Sequence, residues 1–135
     1  MPDVVALAAT PTQDGILNIV GPTGSAAFGV ATTNAGAGGI IAALADTGDA
    51  QVPVALTICE THPDGLCKAP PAPSTSRRVE ANETPTYSVF VTSHQSIPFD
   101  PANTRVFVRF NEDATCEGTS AVVTRGSTSI AVRTQ

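Results

Sequence analysis

The chain has no tryptophan, one tyrosine, five phenylalanines and very little charge. Charged residues make up 14% of it, whereas about 25% is usual in soluble domains. The net charge of −5 argues against the basic stripe of nucleic-acid-binding proteins. The longest weakly polar run, residues 36–45, is much shorter than the roughly 20 apolar residues that cross a bilayer. We therefore expect neither nucleic-acid binding nor membrane insertion.

A length of 135 residues predicts a single domain over residues 1–135, because one core usually organises about 100–200 residues. Lys68 is the sole lysine, while serine and threonine are abundant, which is typical of β-rich exported proteins. The first residues, Met1-Pro2-Asp3, lack the charged and apolar segments of a secretion signal. We expect a secreted or cell-surface protein whose signal lies upstream of this sequence.

Two of the three cysteines flank a turn signal. Cys59 and Cys67 lie on either side of Pro-Asp-Gly at residues 63–65, and this pattern predicts a hairpin that brings the two within disulfide reach. Closing so short a loop stabilises by about 2–3 kcal/mol. Cys116 is left as a free thiol or as a partner in an alternative pairing. No CxxC or His-x₃-His spacing accompanies the cysteines, so we expect neither zinc nor another cofactor.

Short apolar runs that alternate with period two and end at turn residues predict strands. They lie at residues 4–10, 15–20, 25–33, 39–45, 52–59, 86–92, 104–110 and 127–134, with a short lead at 78–81. Residues 68–76 are predicted as a proline-rich connection, and Pro53 predicts that its strand lies at a sheet edge. The fold class expected is all-β, an immunoglobulin-like two-sheet sandwich of about seven or eight antiparallel strands.

Several of these segments resemble the immunoglobulin-like β-sandwich domains of bacterial exported and cell-surface proteins. Residues 28–36 combine apolar alternation with Asn-x-Gly, residues 83–91 resemble a later core strand, and residues 105–110 with 123–132 resemble the final hairpin. The resemblance implies a module found in tandem or at the end of large exported proteins, with no shared catalytic residues. The insertion at residues 111–121, which carries Cys116, departs from the simplest pattern.

No constellation of residues predicts catalysis. His62 and His94 are the two histidines, and no GxSxG elbow accompanies them, so both are interpreted as solvated loop residues. The glycine-rich residues 21–25 and 36–39 lack the lysine, the further glycine and the following helix of phosphate loops. We interpret both segments as turns and expect no enzyme.

Two groups of oxygen-bearing side chains invite a calcium hypothesis. One comprises residues 111–113 with Glu117, and the other comprises Asp46 and Asp49. Neither spacing matches an established calcium loop, so we expect acidic loops that face water and no metal. Residues 82–84, Asn-Glu-Thr, fit an N-glycosylation acceptor, although a polar turn is the simpler interpretation.

The outward row Arg105, Phe107 and Arg109 is the candidate contact surface. Arginine and aromatic residues are both enriched where proteins bind partners. The alternative is that the arginine stems cover Phe107 against a neighbouring strand.

The expected function is a non-catalytic structural or interaction module: a spacer, a stalk or an assembly contact unit of an exported or cell-surface bacterial protein. Its expected partners are other protein domains or copies of itself. The alternative is a carbohydrate- or ligand-binding β-sandwich module. The small number of aromatic residues argues against this alternative, because sugar platforms need exposed flat rings.

Overall fold

The computed structural model describes residues 2–48, 50–116 and 119–135, without the side chains of 113–116 and 119–121. Across these residues the chain forms nine strands and no helix, which confirms the all-β class with more strands than predicted. The strands are β1 (Val4–Ala9), β2 (Ile16–Ile19), β3 (Ser25–Asn34), β4 (Gly39–Asp46), β5 (Val54–Thr61), β6 (Ser74–Val79), β7 (Thr86–Ser93), β8 (Arg105–Cys116) and β9 (Thr119–Thr134). A helix able to cross a membrane is not found among the described residues.

The strands form two sheets, as predicted. The four-stranded sheet has the order β1-β3-β7-β5, and the five-stranded sheet has the order β2-β9-β8-β4-β6. The expectation of purely antiparallel pairing is wrong at β2, which runs parallel to β9. The chain enters and leaves β2 at Gly15 and Gly21, whose φ values are +76° and +73°. These left-handed turns, which glycine adopts readily, carry the chain from one sheet to the other and back.

Two predicted boundaries are wrong. The segment assigned to a proline-rich connection contains the start of β6, where Ser74 pairs with Leu44. Pairing becomes available there because Pro73 is the last proline of the segment, and every later residue has an N–H to donate. Within the predicted insertion at 111–121, residues 111–116 extend β8 and residues 119–121 extend β9. A bulge between Phe110 and Asn111 shifts the register, and pairing continues to Cys116 opposite Thr119.

The inner faces of the two sheets fill one hydrophobic core. Its fully buried members include Leu17, Ile19, Ile41, Ile58, Val79, Val89, Val91, Val106, Val108, Phe110 and Ile130. Across the sandwich, the ring of Tyr87 on β7 meets the ring of Phe110 on β8, with 5.4 Å between centroids. This arrangement confirms the predicted inward positions of both strands, because alternate residues on each strand share one face.

The outer side of β5 is an edge of the four-stranded sheet, as Pro53 predicted. Part of this edge is covered by backbone from the connection that follows. Ile58 and Ala72 exchange two hydrogen bonds, with N···O distances of 2.8 and 3.1 Å. A covered edge presents fewer unpaired backbone groups to other chains.

Gly126 is required where β9 passes the start of β1. A Cβ at this position would lie 2.1 Å from the carbonyl oxygen of Val4, and backbone cannot yield as a flexible side chain does. We expect Gly126→Ala to lower the free energy of unfolding by about 1–3 kcal/mol through overpacking. Urea denaturation measures the change.

Gly29→Ala is the matched control. Gly29 lies on β3, and a Cβ at this position would meet no atom closer than 3.9 Å. We expect a change within about 0.5 kcal/mol. Equal losses in the two variants would contradict the assigned contact between β9 and β1.

Candidate interaction surfaces

Phe107 lies on the outer side of β8 under the side chain of Arg109. The Arg109 guanidinium carbon is 5.1 Å from the centroid of the Phe107 ring, and its Nε donates to Asp46 Oδ2 at 2.8 Å. The ring also packs against Gly48, where a Cβ would lie 2.9 Å from it. This geometry matches the alternative in which arginine covers the ring.

Arg105 is also engaged within the chain. Its Nε and Nη2 donate to Ser129 Oγ at 3.2 and 3.0 Å, and its Nη1 donates to the carbonyl oxygen of Pro101 at 2.9 Å. A similar aromatic contact lies nearby, where the Arg133 guanidinium is 5.2 Å from the Phe99 ring centroid. A guanidinium therefore lies over one face of each ring, although Phe99 remains 54% exposed.

A disulfide joins Cys59 and Cys67, the pair predicted from the turn between them, and their Cα atoms are 5.6 Å apart. The chain reverses within residues 62–66, where His62 N donates to Leu66 O at 2.8 Å. Gly65 has a φ of +91°, a conformation that favours glycine. The hairpin closed by this disulfide, residues 59–67, is called the disulfide hairpin below. The side chain of Cys116 lies outside the described residues.

Glu60 is the centre of an ion-pair network that connects three segments. It is 8% exposed, and its carboxylate accepts from Lys68 Nζ at 3.0 Å and from Arg77 Nε at 2.6 Å. Arg77 also contacts Glu83 at 3.2 Å. The network therefore ties β5 and the disulfide hairpin to β6 and to the turn before β7.

The network shifts the acidities of its members. Burial opposes ionisation of Glu60, but hydrogen bonds from Arg77 and Lys68 outweigh it and hold the pKa of Glu60 below its usual 4.5. Burial, with the nearby Glu60 carboxylate, raises the pKa of Tyr87 to about 12. An open cavity of about 560 Å³ lies over the network. Because the charged groups around it neutralise one another, the cavity carries no strong preference for a charged ligand.

The outer face of the four-stranded sheet carries no charged side chain. Its positions, matched by the strand pairing, are Val5, Leu7, Ala9, Ser25, Ala27, Gly29, Ala31, Thr33, Thr86, Ser88, Phe90, Thr92, Ala55, Thr57, Cys59 and Thr61. Cys59 and Thr61, at the end of β5, are themselves buried. We call this surface the uncharged face. Serine and threonine supply its polar groups, so the face is uncharged rather than wholly apolar.

The uncharged face is shaped as a shallow groove. Val5 and Leu7, which are 60% and 72% exposed, stand at the β1 side, while His62 and Pro63 of the disulfide hairpin form part of the lining toward β5. A cavity of about 320 Å³ lies between them over Gly29. This surface was not predicted from the sequence. Its signal was the lack of any charged residue in β1, β3 and β7.

The other residues singled out in the sequence lie apart from the uncharged face or outside the described residues. His94 is exposed, and Asn82 is an exposed turn residue with a φ of +67°. Within the described residues, no three potential ligands are grouped to hold a metal ion. Asp49 and Glu117, named in the calcium hypothesis, lie outside those residues, as does the side chain of Asp113.

No family model and no curated protein matches the chain. Among the solved structures that are similar to it, three share 11% identity with the chain. AvmM, described as catalysing macrocyclization in alchivemycin A biosynthesis, has a TM-score of 0.48 over 95% of this chain and 87% of its own. Spo0M, a sporulation control protein from Bacillus subtilis, has 0.45 over 99% and 49%. A family 123 glycoside hydrolase from Clostridium perfringens has 0.41 over 98% and 27%. These values assign no function to the chain.

The network around Glu60 generates a stability prediction. We expect Arg77→Ala to lower the free energy of unfolding at neutral pH by about 1–3 kcal/mol, less than for a fully buried pair because Arg77 is partly exposed. Because the pKa of Glu60 is lower in the folded state, its ionised carboxylate stabilises the fold fully at pH values above 4.5, its usual pKa. This contribution is lost as the pH falls through the folded-state pKa of Glu60. The deficit of the variant should therefore shrink in acid. Urea denaturation of wild type and variant, at neutral pH and at pH values below 4.5, measures the difference in the free energy of unfolding.

Arg78→Ala provides the matched control for this experiment. Arg78 is the next residue on β6 and pairs with Glu80, but both side chains are more than half exposed. Exposed pairs contribute about 0–1 kcal/mol. A loss in Arg78→Ala equal to that in Arg77→Ala, or a deficit of Arg77→Ala that grows in acid, would contradict the assigned role of Glu60.

Proposed function

We propose that this chain is a non-catalytic structural or interaction module of an exported or cell-surface bacterial protein, and that it packs against another protein domain through the uncharged face. One observation carries the proposal. The chain has 12 acidic and 7 basic residues, yet none lies on the outward positions of the four-stranded sheet.

The composition of the uncharged face suits contact with a second protein layer. Burying a charge without a partner costs several kcal/mol, and this surface has no charge to bury. Its residues on the central strand β3 include the small Ala27, Gly29 and Ala31, with Phe90 of β7 as a single large ring beside them. Small side chains allow another sheet to approach to the separation of about 10 Å found between packed sheets.

The strand order supports the immunoglobulin-like part of the proposal. When β2 and β6 are set aside, the remaining seven strands take the letters A to G in chain order. The observed orders β1-β3-β7-β5 and β9-β8-β4 then become ABED and GFC, the arrangement of constant-type immunoglobulin domains. The two additional strands extend the second sheet at its two edges.

The disulfide between Cys59 and Cys67 supports an exported location. Such bonds form and persist in oxidising compartments and are rare in the cytosol.

Site-specific photo-cross-linking in the producing cell tests the proposal. A photoreactive side chain replaces Ala31 on the uncharged face or Ile40, which is 50% exposed, on the other sheet. We expect discrete protein cross-links from position 31 and none from position 40, because a docked domain covers only the first. Adding Leu7→Arg should abolish the cross-links from position 31, since the new charge would be buried unpaired.

Cross-links from position 40 alone, an absence of cross-links from position 31, or persistence of the cross-links after Leu7→Arg would contradict the proposed docking surface. Labelling of glycan rather than protein at either position would favour the carbohydrate-binding function instead.

A further inference from the structure

We infer that the domain docked on the uncharged face is a second copy of this chain, related to the first by a two-fold axis. The inference rests on the proposed function, since it names the partner of the same surface. The size, the shape and the chemistry of that surface each favour a second copy as the partner.

The size of the surface reaches the lower limit for a specific interface. Four strands spaced about 4.8 Å apart, each contributing about eight residues at about 3.3 Å, give a sheet face of roughly 500 Å², of which the part at Cys59 and Thr61 is already buried within the chain. Two such faces in contact bury at most about 1,000 Å², which is the minimum for a stable biological interface. An interface of this size predicts a weak, reversible dimer rather than an obligate one.

The surface offers both an exposed side chain and a groove. Leu7 is 72% exposed and lines the β1 side of the groove that extends to the disulfide hairpin. In a two-fold pair the same patch meets itself, so each Leu7 lies against the groove of the other copy. Ala9 and Gly29 line that groove and leave room for a leucine side chain.

The chemistry of the surface favours an identical partner over a charged one. An acidic or basic protein would find no opposite charge on the uncharged face, whereas a second uncharged face leaves no ion unpaired. The net charge of −5 resides on other surfaces, where salt screens repulsion beyond about 8 Å at physiological ionic strength. A second copy of this chain supplies such a face.

Sedimentation equilibrium of the full chain tests the inference. We expect a monomer–dimer equilibrium with a Kd of about 10–100 µM, the weak range for an interface of this size. Leu7→Arg should raise the Kd at least about tenfold, because a guanidinium would be buried without a partner. Ile40→Arg, a matched change on the other sheet, should leave the Kd unchanged.

Two further measurements keep the result interpretable. Circular dichroism establishes that each variant retains the β fold, and Ala31→Glu replaces Leu7→Arg if that variant is unfolded. The Cys116→Ser background excludes covalent dimers through that thiol, and dimerisation should persist in it.

The inference is overturned if the wild-type chain stays monomeric through about 200 µM, well above the expected Kd, or if Ile40→Arg breaks the dimer and Leu7→Arg does not. The two proposals fail in different ways. A monomeric chain that still cross-links a different protein from position 31 ends the inference and leaves the proposed function standing. A monomeric chain with no cross-link from position 31 ends both.

Discussion

The packing of one sheet's inner face against the other is the constraint on which the rest of the structure depends. Alternate residues on every strand are committed to the core, where Tyr87 and Phe110 meet across the two layers. Burial of these apolar side chains is the main favourable term in folding. It fixes which residues point outward, and the outward residues are therefore free to differ between the two sheets.

The two outer faces have diverged chemically. On the five-stranded sheet, Arg105 and Arg109 are held by hydrogen bonds, and Arg109 also contacts Phe107, so this part of the outer face is covered by its own side chains. On the four-stranded sheet the outward residues are small, aliphatic or hydroxylated, apart from the aromatic Phe90. A surface whose side chains already contact one another is stable in water. An uncharged face that includes the exposed Leu7 is stabilised when another protein covers it, because apolar area is removed from water. This difference is why we place the proposed function on the uncharged face of the four-stranded sheet.

Charge in the four-stranded sheet is confined to its margin. Glu60 lies at the end of β5, where Lys68 and Arg77 neutralise it. The disulfide and the ion pairs both hold the hairpin that lines one end of the groove. The stability of this margin and the shape of the proposed docking surface are therefore linked.

Local patterns in the sequence predicted the features that depend on neighbouring residues. Alternation identified the buried sides of β3, β7 and β8, and the turn at residues 63–65 identified the disulfide between Cys59 and Cys67. Features that depend on distant segments were missed. The pairing of β6 with β4 and the parallel pairing of β2 with β9 require knowledge of which strands become neighbours.

The candidate surface illustrates the same limit. Arg105, Phe107 and Arg109 stood out because they are adjacent on one strand, but Asp46 and Gly48, which engage them, lie on and after β4. The uncharged face is assembled from four strands distributed over most of the chain. No single segment displays it, so it emerges only when the sheet order is known.

Carbene footprinting of the wild-type chain tests the central claim, that the outer face of the four-stranded sheet is covered in the assembled protein. The label inserts into exposed side chains, and its yield is compared between the assembled and the fully dissociated protein. The account predicts loss of labelling at Val5 and Leu7, with unchanged labelling at Val20 and Ile40, which are also exposed. Equal labelling of Val5 and Leu7 in the two states would contradict it.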